Sequence, residues 1–242
     1  MKRRTYLATA GSATAGVVLG GCLSDDEEDR PPHPGTTLSD PSEYDVSPTG
    51  GYNVPLAPLE DVYGSYLDDD ELLVLDARGE PQYQQSHISG AKLSPAGRPG
   101  FDHPTTDVAT DRRIVTYCTC PHHLSTARAA ELYSQGFQTV YAIDEGFGPW
   151  VNGGYPTDGS GAAQPLSYAI EGVTDPSHAG EQVWLREPET HQQYVARIDD
   201  DGSWAMHFEF VDVDDETLVE LALPDRTVED TLGDLSGRTV QL

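Results

Sequence analysis

The stretch that decides the fold is IVTYCTCPHHLSTAR, residues 114–128. Ile114-Val115-Thr116-Tyr117 is apolar, β-branched and aromatic, which is the composition of a short strand. Cys118 closes that run. Thr119, Cys120, Pro121, His122 and His123 follow as a loop. A helical pattern of about three turns begins at Ser125, with Ala129, Leu132 and Tyr133 on one face. A cysteine between a strand end and a helix N-terminus is placed for chemistry. Turn N–H groups and the positive end of the helix dipole both favour thiolate over thiol. Cys118 is therefore a candidate nucleophile at neutral pH. The competing reading is a structural cysteine buried at a strand end.

Outward from this stretch the same grammar repeats. Leu72-Leu73-Val74-Leu75 and Val140-Tyr141-Ala142-Ile143 are continuous apolar runs, as expected of strands covered on both faces in a parallel sheet. Leu59, Val62, Tyr63 and Tyr66 fall at helical spacing within residues 56–67. A short helical piece is expected around Pro81 to Gln85, a brief strand at Ala91 to Leu93, and a long loop from Ser94 to Thr110. Gly136, followed by Phe137, reads as a left-handed helix C-cap with its hydrophobic contact. Gly146 to Trp150 starts a last helical piece, which Gly153-Gly154-Tyr155-Pro156 stops. Strands alternating with helices over about 100 residues predict a parallel α/β sheet.

Four separated signatures in this region, taken in order, resemble the rhodanese domain over residues 56–158. They are Leu73-Val74-Leu75-Asp76-Ala77-Arg78; Tyr83-x-x-x-His87-Ile88-x-Gly90-Ala91; Val115-Thr116-Tyr117-Cys118; and Gly136-Phe137 through Val140-Tyr141, Gly146-Phe147, Trp150 and Gly154-Tyr155-Pro156. The resemblance implies that Asp76, Arg78 and His87 are mostly structural and tie loops at the C-terminal edge of the sheet. It also implies sulfur transfer. Cys118 would take the outer sulfur of thiosulfate or a persulfide and hold it as a persulfide. Loop N–H groups would stabilise the developing charge. A thiol, cyanide or protein acceptor would remove the sulfur, with no metal or organic cofactor.

The loop departs from the family's common Cys-Arg-x-Gly-x-Arg form. Thr119 stands in place of the first arginine, Leu124 is nearest to the second, and the loop to Ser125 is one residue longer. A longer loop makes a wider cradle, as in the family's phosphatase relatives. Those relatives also need the terminal arginine, and Leu124 cannot hold phosphate. Binding of anionic thiosulfate is weakened by the same loss, and protonated His122 and His123 would restore part of the charge. Cys120 allows a variant in which it attacks a Cys118 persulfide, releases hydrosulfide and leaves a strained, easily reduced Cys118–Cys120 disulfide. Cys118, Cys120, His122 and His123 also admit a zinc or copper reading. A zinc site of the usual kind would need a second, distant ligand pair. The second functional reading is a non-catalytic module that binds sulfur, a metal or a partner.

The rest of the chain sets the context. Fourteen Lys+Arg against 41 Asp+Glu give a net charge of −27, and only two of the basic residues, Lys2 and Lys92, are lysines. Such a surface stays hydrated when salt screens its repulsion, as in a halophile, and it disfavours nucleic acid as a partner. Residues 1–21 read as a signal peptide: Lys2-Arg3-Arg4 is basic and Ala8 to Leu19 is small and apolar. Arg3-Arg4-Thr5-Tyr6-Leu7 resembles a twin-arginine export signal. Leu19-Gly20-Gly21-Cys22 resembles a lipoprotein box, which implies lipidation at Cys22 and anchoring on the outer face of the membrane. Residues 22–55, acidic and rich in proline, read as a disordered tether. Residues 159–165 read as a linker.

Beyond the linker the hydrophobic period changes to two. Candidate strands are Leu166 to Glu171, Gln182 to Arg186, Gln192 to Ile198, Ser203 to Val211, Thr217 to Leu223 and Arg238 to Leu242. Asp199-Asp200-Asp201-Gly202 reads as a hairpin turn. Residues 166–242 are expected to form a small all-β sandwich, and the Asp-Gly-Ser-Trp turn resembles immunoglobulin-like modules. Trp184 and Trp204 are expected in its core. It carries no catalytic constellation, which leaves a protein partner open as its role.

Overall fold

The computed structural model describes residues 30–119, 122–161 and 165–241. The signal peptide, Cys22, Cys120, Pro121 and part of the linker lie outside the described residues. Residues 31–242 form one compact unit. Its elements run β1 (Val46–Thr49), β2 (Tyr52–Ala57), α1 (Leu59–Asp68), β3 (Leu73–Asp76), α2 (Glu80–Gln85), β4 (His87–Ile88), β5 (Lys92–Leu93), β6 (Arg113–Tyr117), α3 (Leu124–Ser134), β7 (Thr139–Ile143), α4 (Phe147–Asn152) and β8 (Thr157–Asp158). The chain continues through β9 (Leu166–Val173), β10 (Gln182–Arg186), β11 (Gln193–Arg197), β12 (Ser203–Phe210), β13 (Leu218–Ala222), β14 (Thr227–Thr231), α5 (Leu232–Ser236) and β15 (Thr239–Gln241).

The first sheet has the order β1-β2-β7-β6-β3-β5. Its apolar runs are continuous because both faces are covered. Val74, Val115, Tyr117, Tyr141 and Ile143 pack with residues of α1 and α4 on one side. Leu73, Leu75, Ile114, Val140 and Ala142 pack against Ala129 and Leu132 of α3 on the other. Helix α3 closes as its sequence predicts. Gly136 takes φ +94°, and the Phe137 N–H donates to the Leu132 carbonyl at 3.1 Å.

Two expectations need correction here. The sheet is mixed rather than parallel, because β1 runs antiparallel to β2 at its edge. All but the last two residues of that hairpin lie inside the stretch read as a disordered tether. Gly50 and Gly51 both take positive φ, at 58° and 81°, as a two-residue turn between Thr49 and Tyr52 requires. Scattered apolar residues then anchor the segment. Leu38 and Val54 are buried, and the Leu38 N–H donates to Ser65 Oγ at 2.8 Å.

Residues 166–241 form two sheets, β11-β10-β13-β14 and β12-β9-β15, around a common core that holds Trp204, Met206, Phe208 and Phe210. The period-2 reading places six of these strands. It misses β14, whose Thr-Val-Glu-Asp-Thr sequence buries no residue, and the five-residue helix α5 in this otherwise β-rich segment. The Asp199–Gly202 turn forms, with the Gly202 N–H donating to the Asp199 carbonyl at 2.9 Å. The strands it joins then part into different sheets, so it is a crossing and not a hairpin.

Candidate active site

Cys118 lies one residue past β6, which is flanked by β3 and β7. The strand end is fixed on both sides. Thr116 Oγ1 donates to the Ser125 carbonyl at 2.9 Å and to the Tyr141 carbonyl at 3.0 Å. The Phe147 N–H donates to the Cys118 carbonyl at 2.9 Å. Cys118 Sγ contacts Ser125 Oγ at 3.4 Å. Helix α3 starts at Leu124, one residue before the sequence reading, so Leu124 turns inward and is 2% exposed, as is Cys118. Both belong to a small apolar cluster with Ala77, Ala96, Ala127 and Val195.

The remaining loop residues take separate roles. Thr119 is half-buried. His122 takes a left-handed φ of 62°, and its Nε2 meets Asp144 Oδ1. His123 stands at the head of α3, and its Nδ1 bonds the Tyr194 hydroxyl at 3.0 Å. Burial holds the His123 pKa below its ordinary value, and the neighbouring His122 and His207 add to the effect. Among the described residues no group of three His, Cys, Asp or Glu side chains is placed to hold a metal ion.

Beneath the loop is a buried ion pair. Arg78 Nε and Nη2 donate to the Asp76 carboxylate at 2.9 and 2.6 Å, and Nη2 also donates to the Ser86 carbonyl at 2.7 Å. The Tyr117 hydroxyl donates to Asp76 Oδ2 at 2.8 Å and accepts from the Ile88 N–H at 3.0 Å. The guanidinium lies over the Phe147 ring, 4.4 Å from its centroid. Burial opposes its charge, yet Asp76 outweighs burial together with the smaller pull of Tyr117 and Cys118, and the Arg78 pKa is raised. His87 is not part of this pair. Its Nδ1 bonds the Tyr83 carbonyl at 2.7 Å, and its ring stacks on Tyr83.

Four contributors have no clear sequence signal. Tyr117 sits in an apolar run, where only its buried hydroxyl hints at a polar partner. Val195, Trp184 and Tyr194 come from the C-terminal segment and reach the loop only through tertiary packing.

An α/β domain with a cysteine loop between a central strand and a helix defines the class. The rhodanese-like domain family matches residues 60–153. The chain is 35% identical over 86 residues to the thiosulfate sulfurtransferase GlpE of Pseudoalteromonas translucida, covering 35% of this chain and 77% of that protein. It is 36% identical over 94 residues to the thiosulfate sulfurtransferase GlpE of Stutzerimonas stutzeri, covering 36% of this chain and 75% of that one. Among solved structures, the BH2092 protein of Bacillus halodurans matches 44% of this chain and 77% of its own, at 21% identity and a TM-score of 0.39. The chain belongs to the rhodanese family through this domain.

Proposed function

We propose that the protein is a sulfurtransferase that carries sulfane sulfur as a persulfide on Cys118. The observation that carries this reading is the placement of Cys118 at the end of β6, in contact with Ser125 Oγ, in a chain related to thiosulfate sulfurtransferases. The Cys118 thiolate attacks the outer sulfur of thiosulfate. The donor S–S bond breaks, and sulfite leaves with the bonding electrons. A thiol or cyanide then attacks the outer sulfur of the persulfide, forming a new persulfide or thiocyanate, and the Cys118 thiolate is restored. These steps use no cofactor. Asp76 and Arg78 brace the strand end before the loop through Tyr117, His87 is held on Tyr83, and none of the three reacts.

Thiosulfate:cyanide turnover at high salt is the test. Wild-type protein should form thiocyanate and Cys118→Ser should not. Failure of the wild type with thiosulfate and with organic persulfides would favour the second reading, a non-catalytic sulfur-, metal- or partner-binding module. One observation supports that alternative: Val195 and Trp184 cover Cys118.

We further propose twin-arginine export and lipid anchoring at Cys22 on a salt-adapted cell's outer surface. Arg3-Arg4, the Leu19-Gly20-Gly21-Cys22 box and the net charge of −27 support it. No helix among the described residues is long and apolar enough to cross a membrane. Wild type expressed in its host should partition into detergent and Cys22→Ala into water. Equal partitioning of the two would refute lipidation.

A further inference from the structure

The β11-β10-β13-β14 sheet has two faces. Val183, Leu185, Tyr194 and Ala196 point into the C-terminal core. Alternate residues point the other way. Trp184 and Val195 are opposite one another across β10 and β11, and they pack on the cluster that contains Cys118 and Leu124. The next pair along that face is Gln182 and Arg197. It lies about 6–7 Å further along the strands, the spacing of same-face neighbours. Gln182 and Arg197 line a cleft of about 290 Å³ together with the Ser47–Gly50 turn, His122, His123 and Thr126.

Arg197 is placed differently from the chain's paired arginines. Arg78, Arg113, Arg128 and Arg238 each hold a carboxylate. Among the described residues Arg197 has no ion pair and no side-chain hydrogen bond, in a chain with 41 acids. Asp199 also lines the cleft, yet it forms no ion pair with Arg197. The Arg197 guanidinium lies along Gly180, where an added Cβ would come within 3.3 Å of Nη2. An exposed cation without a partner, facing a cleft beside the nucleophile's loop, suits a small anion. The guanidinium fork matches two oxygens of an oxoanion.

We infer that this cleft recognises the anionic sulfur donor, and that Arg197 of the C-terminal module serves where the cysteine loop lacks arginines. The ligand class is a compact sulfur oxoanion such as thiosulfate, whose three oxygens leave as sulfite once its outer sulfur is transferred. The Gln182 side-chain amide offers a further donor. The inference rests on the sulfurtransferase reading for its role, but the anion site can be tested without turnover.

Thiosulfate binding to full-length Cys118→Ser protein, measured by calorimetry in matched buffer, tests the site directly. Adding Arg197→Gln should weaken binding about tenfold or more, as expected for loss of a charge-assisted contact, and Arg197→Lys should recover part of it. In the otherwise wild-type chain, Arg197→Gln should raise KM for thiosulfate more than it lowers kcat. Unchanged binding in Arg197→Gln, or no binding by the parent, overturns the inference whatever the turnover. Arg197-dependent binding without wild-type turnover upholds the anion site and sinks the sulfurtransferase reading instead.

Discussion

At the scale of single residues, the site depends on charges that cannot reach water. Asp76 is fully buried and Arg78 nearly so. Removing one partner of a buried pair leaves the other uncompensated, at a cost of about 3–5 kcal/mol. Asp76→Ala should therefore lower the unfolding free energy in denaturant titration by that amount and reduce sulfur transfer through loss of loop order. Tyr117→Phe removes two hydrogen bonds and should cost about 1–3 kcal/mol, because it leaves a buried carboxylate oxygen and the Ile88 N–H short of a partner. A second buried network surrounds Arg128. Its Nε donates to Ser94 Oγ at 2.9 Å, and Ser94 bonds His103 Nδ1 at 2.9 Å. Burial first, then the Arg128 charge, lower the His103 pKa from 6.5 to about 4, with Asp102 pulling the other way and Arg98 nearby. Between those values the unfolded chain binds the proton more readily, so this stabilisation is complete above pH 6.5 and is lost as pH falls toward 4. Wild type should lose thermal stability across that window more steeply than His103→Asn. Parallel pH profiles would contradict the assignment. Asp76 and Arg78 were legible from the sequence because they sit in a short motif. Tyr117 and His103 were not, because their partners are set by loops that arrive from elsewhere in the chain.

Among the elements, β6 and α3 were the most legible. An apolar strand, a cysteine, and a helix ended by Gly136-Phe137 are all local signals. The Gly136 φ of 94° disfavours any side chain, so Gly136→Ala should cost about 1–2 kcal/mol of stability in denaturant titration without altering the cysteine loop. The β1–β2 hairpin is masked in the sequence by the surrounding proline and acid content, although Thr49-Gly50-Gly51-Tyr52 is itself a turn signal. Strand β14 was invisible because an exposed edge strand has no hydrophobic period to read. Gly97 marks where the two sheet systems meet. It takes φ +63°, and a Cβ there would come within 2.6 Å of the Trp184 ring. Gly97→Ala should displace Trp184, raise the reactivity of Cys118 toward a small alkylating agent, and lower the melting temperature. Unchanged alkylation would show that Trp184 does not control access.

On the scale of the whole molecule, the C-terminal segment is joined to the site and is not an independent appendage. Val195, Trp184 and the Tyr194–His123 hydrogen bond put it against the cysteine loop. Nothing in the sequence could reveal this, since the alternating pattern of β10 and β11 fixes which residues share a face but not what the outer face meets. Electrostatics acts on the same scale. With a net charge of −27 the compact state repels itself, and added salt screens that repulsion. The melting temperature should therefore rise with ionic strength. The most direct measurement of the proposed chemistry is intact-protein mass spectrometry after thiosulfate treatment at high salt, followed by peptide mapping. The prediction is a gain of one sulfur atom on Cys118, discharged by cyanide and absent from Cys118→Ser. A wild-type protein that gains no sulfur, or gains it only on Cys120, would contradict the assignment of Cys118 as the sulfur carrier.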